Sequence, residues 1–173
     1  MPRKCVYAGS FDPPTNGHMW MIENGSRLFD ELVLAIGTNP EKKSMFSVSE
    51  RLGLLRDLSK HYGNITVGSY QNQFLMHYAK SIGAKYVLRG IRSYKDYEYE
   101  SGIKRINDSI SSSVTTVFLM PPDELSHISS SIVKGLIGPS GWEDVVEHYV
   151  PRSVYSELLK RFSTPRRSER RRR

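Results

Sequence analysis

The chain has 173 residues, enough for one domain with its own core and too few for two ordinary domains. Its 38% hydrophobic and 25% charged residues are typical of a folded soluble protein, and no apolar run approaches the roughly 18–20 residues that span a bilayer. A single cysteine, Cys5, excludes an internal disulfide framework and a cysteine-based zinc cage. Without an apolar secretory segment before Gly9, we expect a cytoplasmic protein.

The net charge of +7 is concentrated at the C-terminus. Residues 165–173 contain six arginines and one glutamate, so most of the net charge lies there and the rest of the chain is nearly neutral. We therefore expect residues 1–163 to form one domain and residues 164–173 to form a basic, disordered tail. Such a tail would contact RNA or another acidic surface only weakly, and we expect no membrane contact.

Strand-like and helix-like segments alternate along the chain. Short apolar or β-branched runs predict strands over 4–8, 31–37, 65–69, 86–88 and 115–120. Apolar residues at helical spacing predict a first helix around Met19–Phe29 and a last one over 154–162, after Pro151. Ser47 followed by Glu50 is a capping box that predicts a helix through Leu58. Further helices are predicted over 74–82, 96–110 and 129–137.

This alternation is typical of an α/β protein. We expect a Rossmann-like, five-stranded parallel sheet with helices on both faces. Ligands of such sheets bind at the carboxyl ends of the strands, near the point where the strand order reverses.

The polar loop after the first predicted strand lies at such a position. Gly9 lets a ligand approach the backbone, and Gly17 allows the tight entry into the first helix. His18 then falls in the first helical turn, where free N–H groups and the helix dipole favour an anion such as phosphate.

Several motifs together resemble the bacterial phosphopantetheine adenylyltransferases of the nucleotidyltransferase superfamily. Thr15–His18 (TNGH) matches the superfamily's TxGH signature, and 128–134 (ISSSIVK) matches its second, serine-rich signature. Between them lie RGIR at 89–92 and DYEYE at 96–100, in the family's order. The resemblance covers residues 6 to 162 and implies the nucleotidyltransferase fold.

The resemblance also implies roles for individual residues. His18 would stabilise the transition state, with Lys42 and Arg92 as further catalytic residues. Phosphopantetheine would be bound by Ser10, Lys42, Leu75 and Arg89. ATP would be bound by Ser10, Phe11, His18, Gly90, Ile91, Arg92, Glu100, Leu125, Ser126, His127, Ile128, Ser129, Ser130 and Ser131.

By the same resemblance we expect adenylyl transfer from ATP to 4′-phosphopantetheine, giving dephospho-coenzyme A and pyrophosphate. Mg²⁺ would accompany ATP, held mainly by phosphates and water, so no dedicated metal ligands are expected. A homohexamer, and coenzyme A as a feedback ligand, are further implications.

The chain departs from the family pattern in several places. Leu125 and His127 stand where aromatic residues are usual, and residues 104–107 (KRIN) retain only Asn107 of a family motif. The segment 68–76 carries one extra residue, and 135–142 is unusually rich in glycine. These changes concern adenine stacking and regulation more than phosphate transfer.

Simpler explanations exist for each residue taken singly. Arg89 or Arg92 alone could form a surface ion pair, Lys42 and Lys43 could be solvated, and the serines 129–131 could be a helix cap. At the level of function, the alternatives are a sister enzyme acting on nicotinate mononucleotide or an alcohol phosphate, and a nucleic-acid-binding protein using the basic tail. The RGIR and DYEYE segments favour the phosphopantetheine enzyme.

Overall fold

A parallel sheet forms the centre of the computed structural model, which describes residues 2–38 and 43–163. Its strands are β1 (Lys4–Gly9), β2 (Glu31–Thr38), β3 (Ile65–Gln71), β4 (Tyr86–Gly90) and β5 (Thr115–Leu119). They are ordered β3-β2-β1-β4-β5, and every pairing is parallel. The predicted five-stranded sheet is therefore confirmed, and the strand order reverses at β1, beside β4 on one side and β2 on the other.

Helices cover both faces of this sheet. They are α1 (Asn16–Leu28), α2 (Val48–Ser59), α3 (Leu75–Ser81), α4 (Tyr94–Ile110), α5 (Asp123–Ser126), α6 (Ser130–Leu136), α7 (Trp142–Val146) and α8 (Arg152–Phe162). No helix in the described part of the chain is long and apolar enough to cross a membrane.

Burial on both faces explains why the central strands are apolar throughout. In β1, Cys5 and Tyr7 pack with α1 and α2, whereas Val6 and Ala8 pack with α3 on the opposite face. Cys5 is completely buried among apolar neighbours, as expected of a small hydrophobic residue. A third apolar cluster, centred on Trp142, joins α2, α6, α7 and α8.

Most predicted boundaries agree with the structure to within two residues. The Ser47–Glu50 capping box is present, with Glu50 N–H donating to Ser47 Oγ at 3.2 Å and Ser47 N–H to Glu50 Oε2 at 2.7 Å. Helices α5 and α7 were not predicted, because four and five residues are too short to show helical periodicity. Residues 39–42, which follow β2, and the predicted tail lie outside the described residues.

Candidate active site

Two neighbouring cavities open at the carboxyl ends of β1, β2 and β4. Cavity one, of about 310 Å³, lies between β1, β4, α1 and the start of α6. Cavity two, of about 440 Å³, lies between β1, β2, β3 and the start of α2. Ala8, Gly9, Ser10 and Arg89 line both cavities. The end of β1 is thus a shared wall, at the strand-order reversal where ligands of such sheets bind.

His18 projects into cavity one from the first turn of α1. Thr15 caps this helix: its hydroxyl accepts from His18 N–H at 3.4 Å, and its own N–H donates to His18 Nδ1 at 3.0 Å. Because Nδ1 is an acceptor, we assign the proton of the neutral ring to Nε2. Loss of solvent around the ring, together with the charge of Arg92, lowers the pKa of His18 to about 4. At neutral pH, His18 is therefore an uncharged hydrogen-bond donor.

The Phe11 ring packs against the His18 ring. The Phe11 side chain is completely buried, and its ring centroid lies 5.1 Å from that of His18 and 5.4 Å from that of Tyr7. Its backbone has a left-handed φ of 47°, a conformation that costs a non-glycine residue about 1–3 kcal/mol. Gly9 makes room for this turn, since a Cβ there would approach the Phe11 ring to 3.3 Å.

Arg89 and Glu100 form an ion pair between β4 and α4. Arg89 Nε donates to Glu100 Oε2 at 2.9 Å, and its Nη2 donates to Glu100 Oε1. Arg89 Nη1 donates to the Ala8 carbonyl at 3.0 Å, which fixes the guanidinium against the shared wall. Burial lowers the pKa of Arg89, but the hydrogen bonds and charge of Glu100 raise it by more, so the net shift is upward and the guanidinium stays charged. The two charges of the ion pair largely cancel.

Arg92 connects the end of β4 to the turn before α6. Its Nε donates to Asp96 Oδ2 at 3.0 Å, and its Nη1 donates to the Ile128 carbonyl at 2.9 Å. The side chain remains partly exposed and lines cavity one, so its charge faces any anion there. Asp96 was not among the predicted site residues; it lies in the first turn of α4, and Arg92 precedes that helix by two residues.

The serine-rich motif begins α6 at the rim of cavity one. Ser129 is the N-cap, with its hydroxyl accepting from Ile132 N–H at 3.2 Å. The Ser130 hydroxyl donates to the Pro13 carbonyl at 2.8 Å and so ties α6 to the loop after β1. Ser129, Ser130 and Ser131 all line the cavity. The motif is therefore a helix cap and a cavity wall at once.

Asp12 links the loop after β1 to segments on both sides. Its carboxylate is buried and accepts from Met45 N–H at 2.9 Å and from Phe46 N–H at 2.8 Å. It also pairs with Lys134 of α6 at 3.2 Å. Asp12 was not among the predicted site residues, because its partners lie more than 30 and more than 120 positions away along the chain.

Cavity two is shaped by a pair of stacked tyrosines. The rings of Tyr70 and Tyr78 lie 4.7 Å apart and nearly parallel, and Tyr70 lines the cavity. Gly37 fits under Tyr70, since a Cβ at Gly37 would lie 2.8 Å from the Tyr70 hydroxyl oxygen. Arg51 of α2 and Ser44 complete the side opposite β1.

The structure brings together most of the residues predicted to form the site. Ser10, His18, Arg89, Gly90, Arg92, Glu100, Ile128, Ser129, Ser130 and Ser131 all line cavity one. Phe11 and Ile91 are buried behind it, and Leu75 begins α3 and packs into the apolar cluster on that face of the sheet. Leu125, Ser126 and His127 precede the lining residues and belong to neither wall. Lys42 lies outside the described residues, and the ligand contacts of all these residues stay predictions.

No group of three or more His, Cys, Asp or Glu side chains that could hold a metal ion occurs in residues 2–38 and 43–163. The two carboxylates that line cavity one, Asp96 and Glu100, are each bonded to an arginine.

Comparisons with known proteins agree with the geometry of the site. A family model described as cytidylyltransferase-like matches residues 6–136. A protein named phosphopantetheine adenylyltransferase from Neisseria meningitidis serogroup C is 49% identical, over 91% of this chain and 93% of its own length. A protein of the same name from Chromobacterium violaceum is 50% identical, over 93% of this chain and 98% of its own length. A nicotinic acid mononucleotide adenylyltransferase structure from Plasmodium falciparum superposes with a TM-score of 0.68 at 15% identity, covering 93% of this chain and 96% of that one, which is a likeness of fold. The TxGH loop, the RGIR strand end and the serine-capped helix thus surround the cavities of a nucleotidyltransferase, and the chain belongs to the phosphopantetheine adenylyltransferases within the cytidylyltransferase-like family.

Proposed function

We propose that the protein transfers the adenylyl group of ATP to 4′-phosphopantetheine, with ATP in cavity one and the acceptor phosphate in cavity two. The observation that carries this proposal is the shared wall, where Ser10 and Arg89 face both cavities. Two phosphorylated substrates bound on either side of one strand end would meet there, with their phosphates adjacent. The names of the curated relatives supply the identity of the acceptor.

The reaction is a direct displacement at phosphorus. An oxygen of the 4′-phosphate forms a bond to the α-phosphorus of ATP, while the bond from that phosphorus to the bridging oxygen of the β-phosphate breaks. Pyrophosphate leaves with the bonding electron pair, and dephospho-coenzyme A is formed. The nucleophile is already ionised, so the chain has no proton to remove and acts by alignment and charge stabilisation.

The described residues suit this mechanism. The Nε2–H of His18 would donate to the α-phosphate as charge increases there, and Arg92 would offset charge on the same nucleotide. The Ser129 and Ser131 hydroxyls and the first N–H groups of α6 would bind the remaining phosphate oxygens, because the Ser130 hydroxyl already donates to the Pro13 carbonyl. Mg²⁺ would enter with ATP, coordinated by phosphate oxygens and water, because the carboxylates of cavity one are already bonded to arginines.

The acceptor is tested by measuring pyrophosphate release. We expect release with 4′-phosphopantetheine and little with pantetheine or nicotinate mononucleotide. A preference for nicotinate mononucleotide would assign the chain to the sister activity and overturn the proposal.

The acceptor-site residues are tested by substitution. Lys42→Ala should weaken binding of the phosphorylated acceptor by roughly 1.5–3 kcal/mol, the contribution of one charge-assisted hydrogen bond. Arg89→Ala would leave Glu100 buried without its partner, so we prefer the double variant Arg89→Gln/Glu100→Gln, with Glu100→Gln as its control. Unchanged acceptor affinity in both Lys42→Ala and the double variant would show that cavity two is wrongly assigned.

We also propose, from the family resemblance, that the protein is a cytoplasmic homohexamer that binds coenzyme A as a feedback ligand. Tyr94, Tyr97 and Tyr99 of α4 expose half or more of their surface, which would suit contacts between copies. Light scattering of the purified protein tests the hexamer, and inhibition by added coenzyme A tests feedback. The division into a domain over 1–163 and a tail over 164–173 likewise stays a prediction.

A further inference from the structure

Three charged side chains are buried in the described parts of the chain: Asp12, Arg51 and Glu100, which are 3%, 4% and 7% exposed. Asp12 pairs with Lys134, and Glu100 pairs with Arg89. Within residues 2–38 and 43–163, Arg51 has no carboxylate partner. Burying an ion without an opposite charge is costly, so this arrangement requires an explanation.

Backbone carbonyls hold the Arg51 guanidinium at the edge of cavity two. Its Nη1 donates to the Ser10 carbonyl at 2.7 Å, and its Nε donates to the Ser47 carbonyl at 3.3 Å. These contacts use two of the five N–H groups of a guanidinium and neutralise none of its charge. Arg51 lines the cavity together with Ser10 and Arg89.

The charge balance of cavity two distinguishes Arg51 from Arg89. Both guanidiniums line the cavity, but that of Arg89 contacts the carboxylate of Glu100 through two nitrogens. Among the described residues, an anion entering the cavity therefore meets an ion pair at Arg89 and, at Arg51, a positive charge without a carboxylate beside it. A charge that no opposite charge offsets has the greater effect on an anion.

We propose that Arg51 binds the phosphate of the acceptor in cavity two, which makes it a further substrate-binding residue of the reaction. Its remaining N–H groups donate to phosphate oxygens, and its bond to the Ser10 carbonyl holds the anion beside the shared wall. The inference rests on the proposed function for the identity of the acceptor. A purely structural role, in which Arg51 only ties α2 to the loop after β1, is the alternative that the experiment must exclude.

The test compares calorimetric affinities for 4′-phosphopantetheine and pantetheine in the wild type, Arg51→Gln and Arg51→Lys. Arg56→Gln is the matched control, because Arg56 lies exposed on the same helix. We expect Arg51→Gln to weaken phosphopantetheine binding about 10- to 100-fold, as for one charge-assisted contact, with pantetheine and ATP binding unchanged. Arg51→Lys should recover part of the loss, and Arg56→Gln should change nothing.

A purely structural role predicts a different pattern. Arg51→Gln would then weaken the binding of both acceptors equally, or of neither, whether or not its melting temperature falls. The ratio of the two affinities would stay as in the wild type, and that result overturns the proposal. If Arg51→Gln does not fold, Arg51→Lys decides, because lysine keeps the charge but not the fork of donors, and an unchanged ratio again overturns it. A wild-type protein that does not bind phosphopantetheine would instead refute the proposed function.

Discussion

The neutral state of His18 can be tested through stability as well as through catalysis. The lowered pKa means that the folded protein keeps His18 uncharged down to about pH 4, whereas the unfolded chain takes up a proton near the ordinary value of 6.5. Protonation of His18 therefore favours the unfolded chain between these values. The stability contributed by the neutral ring is complete above pH 6.5 and is lost as the pH falls towards 4.

The size of this effect follows from the two pKa values. Between pH 7.5 and pH 5, the unfolded chain gains about 2 kcal/mol from protonation of this one ring, and the folded protein gains almost nothing. His18→Ala removes the titrating group, so its unfolding free energy lacks this component. The stability difference between wild type and variant should therefore be about 2 kcal/mol smaller at pH 5 than at pH 7.5.

Urea denaturation of both proteins at the two pH values measures this difference, and the other titrating groups cancel in the comparison. Turnover of His18→Ala should fall about 10²- to 10³-fold, as when one preorganised donor is removed, with a much smaller change in ATP affinity. A stability difference that is the same at both pH values would refute the neutral assignment. A loss in ATP affinity without a loss in turnover would refute the catalytic role.

Three further predictions concern other parts of the molecule. Ser130→Ala should weaken ATP binding mildly, by about 0.5–1.5 kcal/mol, whereas Ser130→Pro should weaken it more because proline also deletes the backbone N–H. Proline is tolerated at this first helical position, so circular dichroism should show both variants folded. Equal ATP affinities of the two variants would exclude the N–H as a ligand. Gly37→Ala should displace the Tyr70 ring, which its Cβ would approach to 2.8 Å, and raise KM for the acceptor severalfold; an equal rise in KM for ATP would contradict this local effect. Removal of residues 165–173 should leave pyrophosphate release unchanged and abolish any RNA binding in a filter assay, and a loss of turnover would give the tail a part in the reaction.

Much of the fold could be predicted because its signals are local. The apolar run of β2 and the Ser47–Glu50 capping box depend on neighbouring residues, and both occur where the sequence indicated. The capping box at Thr15 was missed because the third helical position holds His18 instead of the usual glutamate or glutamine. With histidine at this position, the hydrogen bonds that cap the helix also fix the orientation of the His18 imidazole ring.

The electrostatic arrangement of the site could not be predicted in the same way. From the resemblance, Arg89 was expected to bind phosphate and Glu100 to face the nucleotide, and these roles stay predictions. The structure shows that the two side chains bind each other between β4 and α4. Likewise, the fold determines that no carboxylate of residues 2–38 and 43–163 pairs with Arg51. Charge compensation is a property of the folded arrangement, and spacing along the chain does not reveal it.

The buried carboxylate of Asp12 has a consequence for how the two substrates influence each other. It holds the backbone of Met45 and Phe46, between residues that line cavity two, and also holds Lys134 of α6, whose first residues line cavity one. A displacement on one side alters the hydrogen bonds available to the other. Such coupling is reciprocal: whatever factor ATP applies to acceptor affinity, the acceptor applies to ATP affinity. We therefore expect binding constants measured with one substrate at a time to omit a coupling free energy that arises only when both cavities are filled.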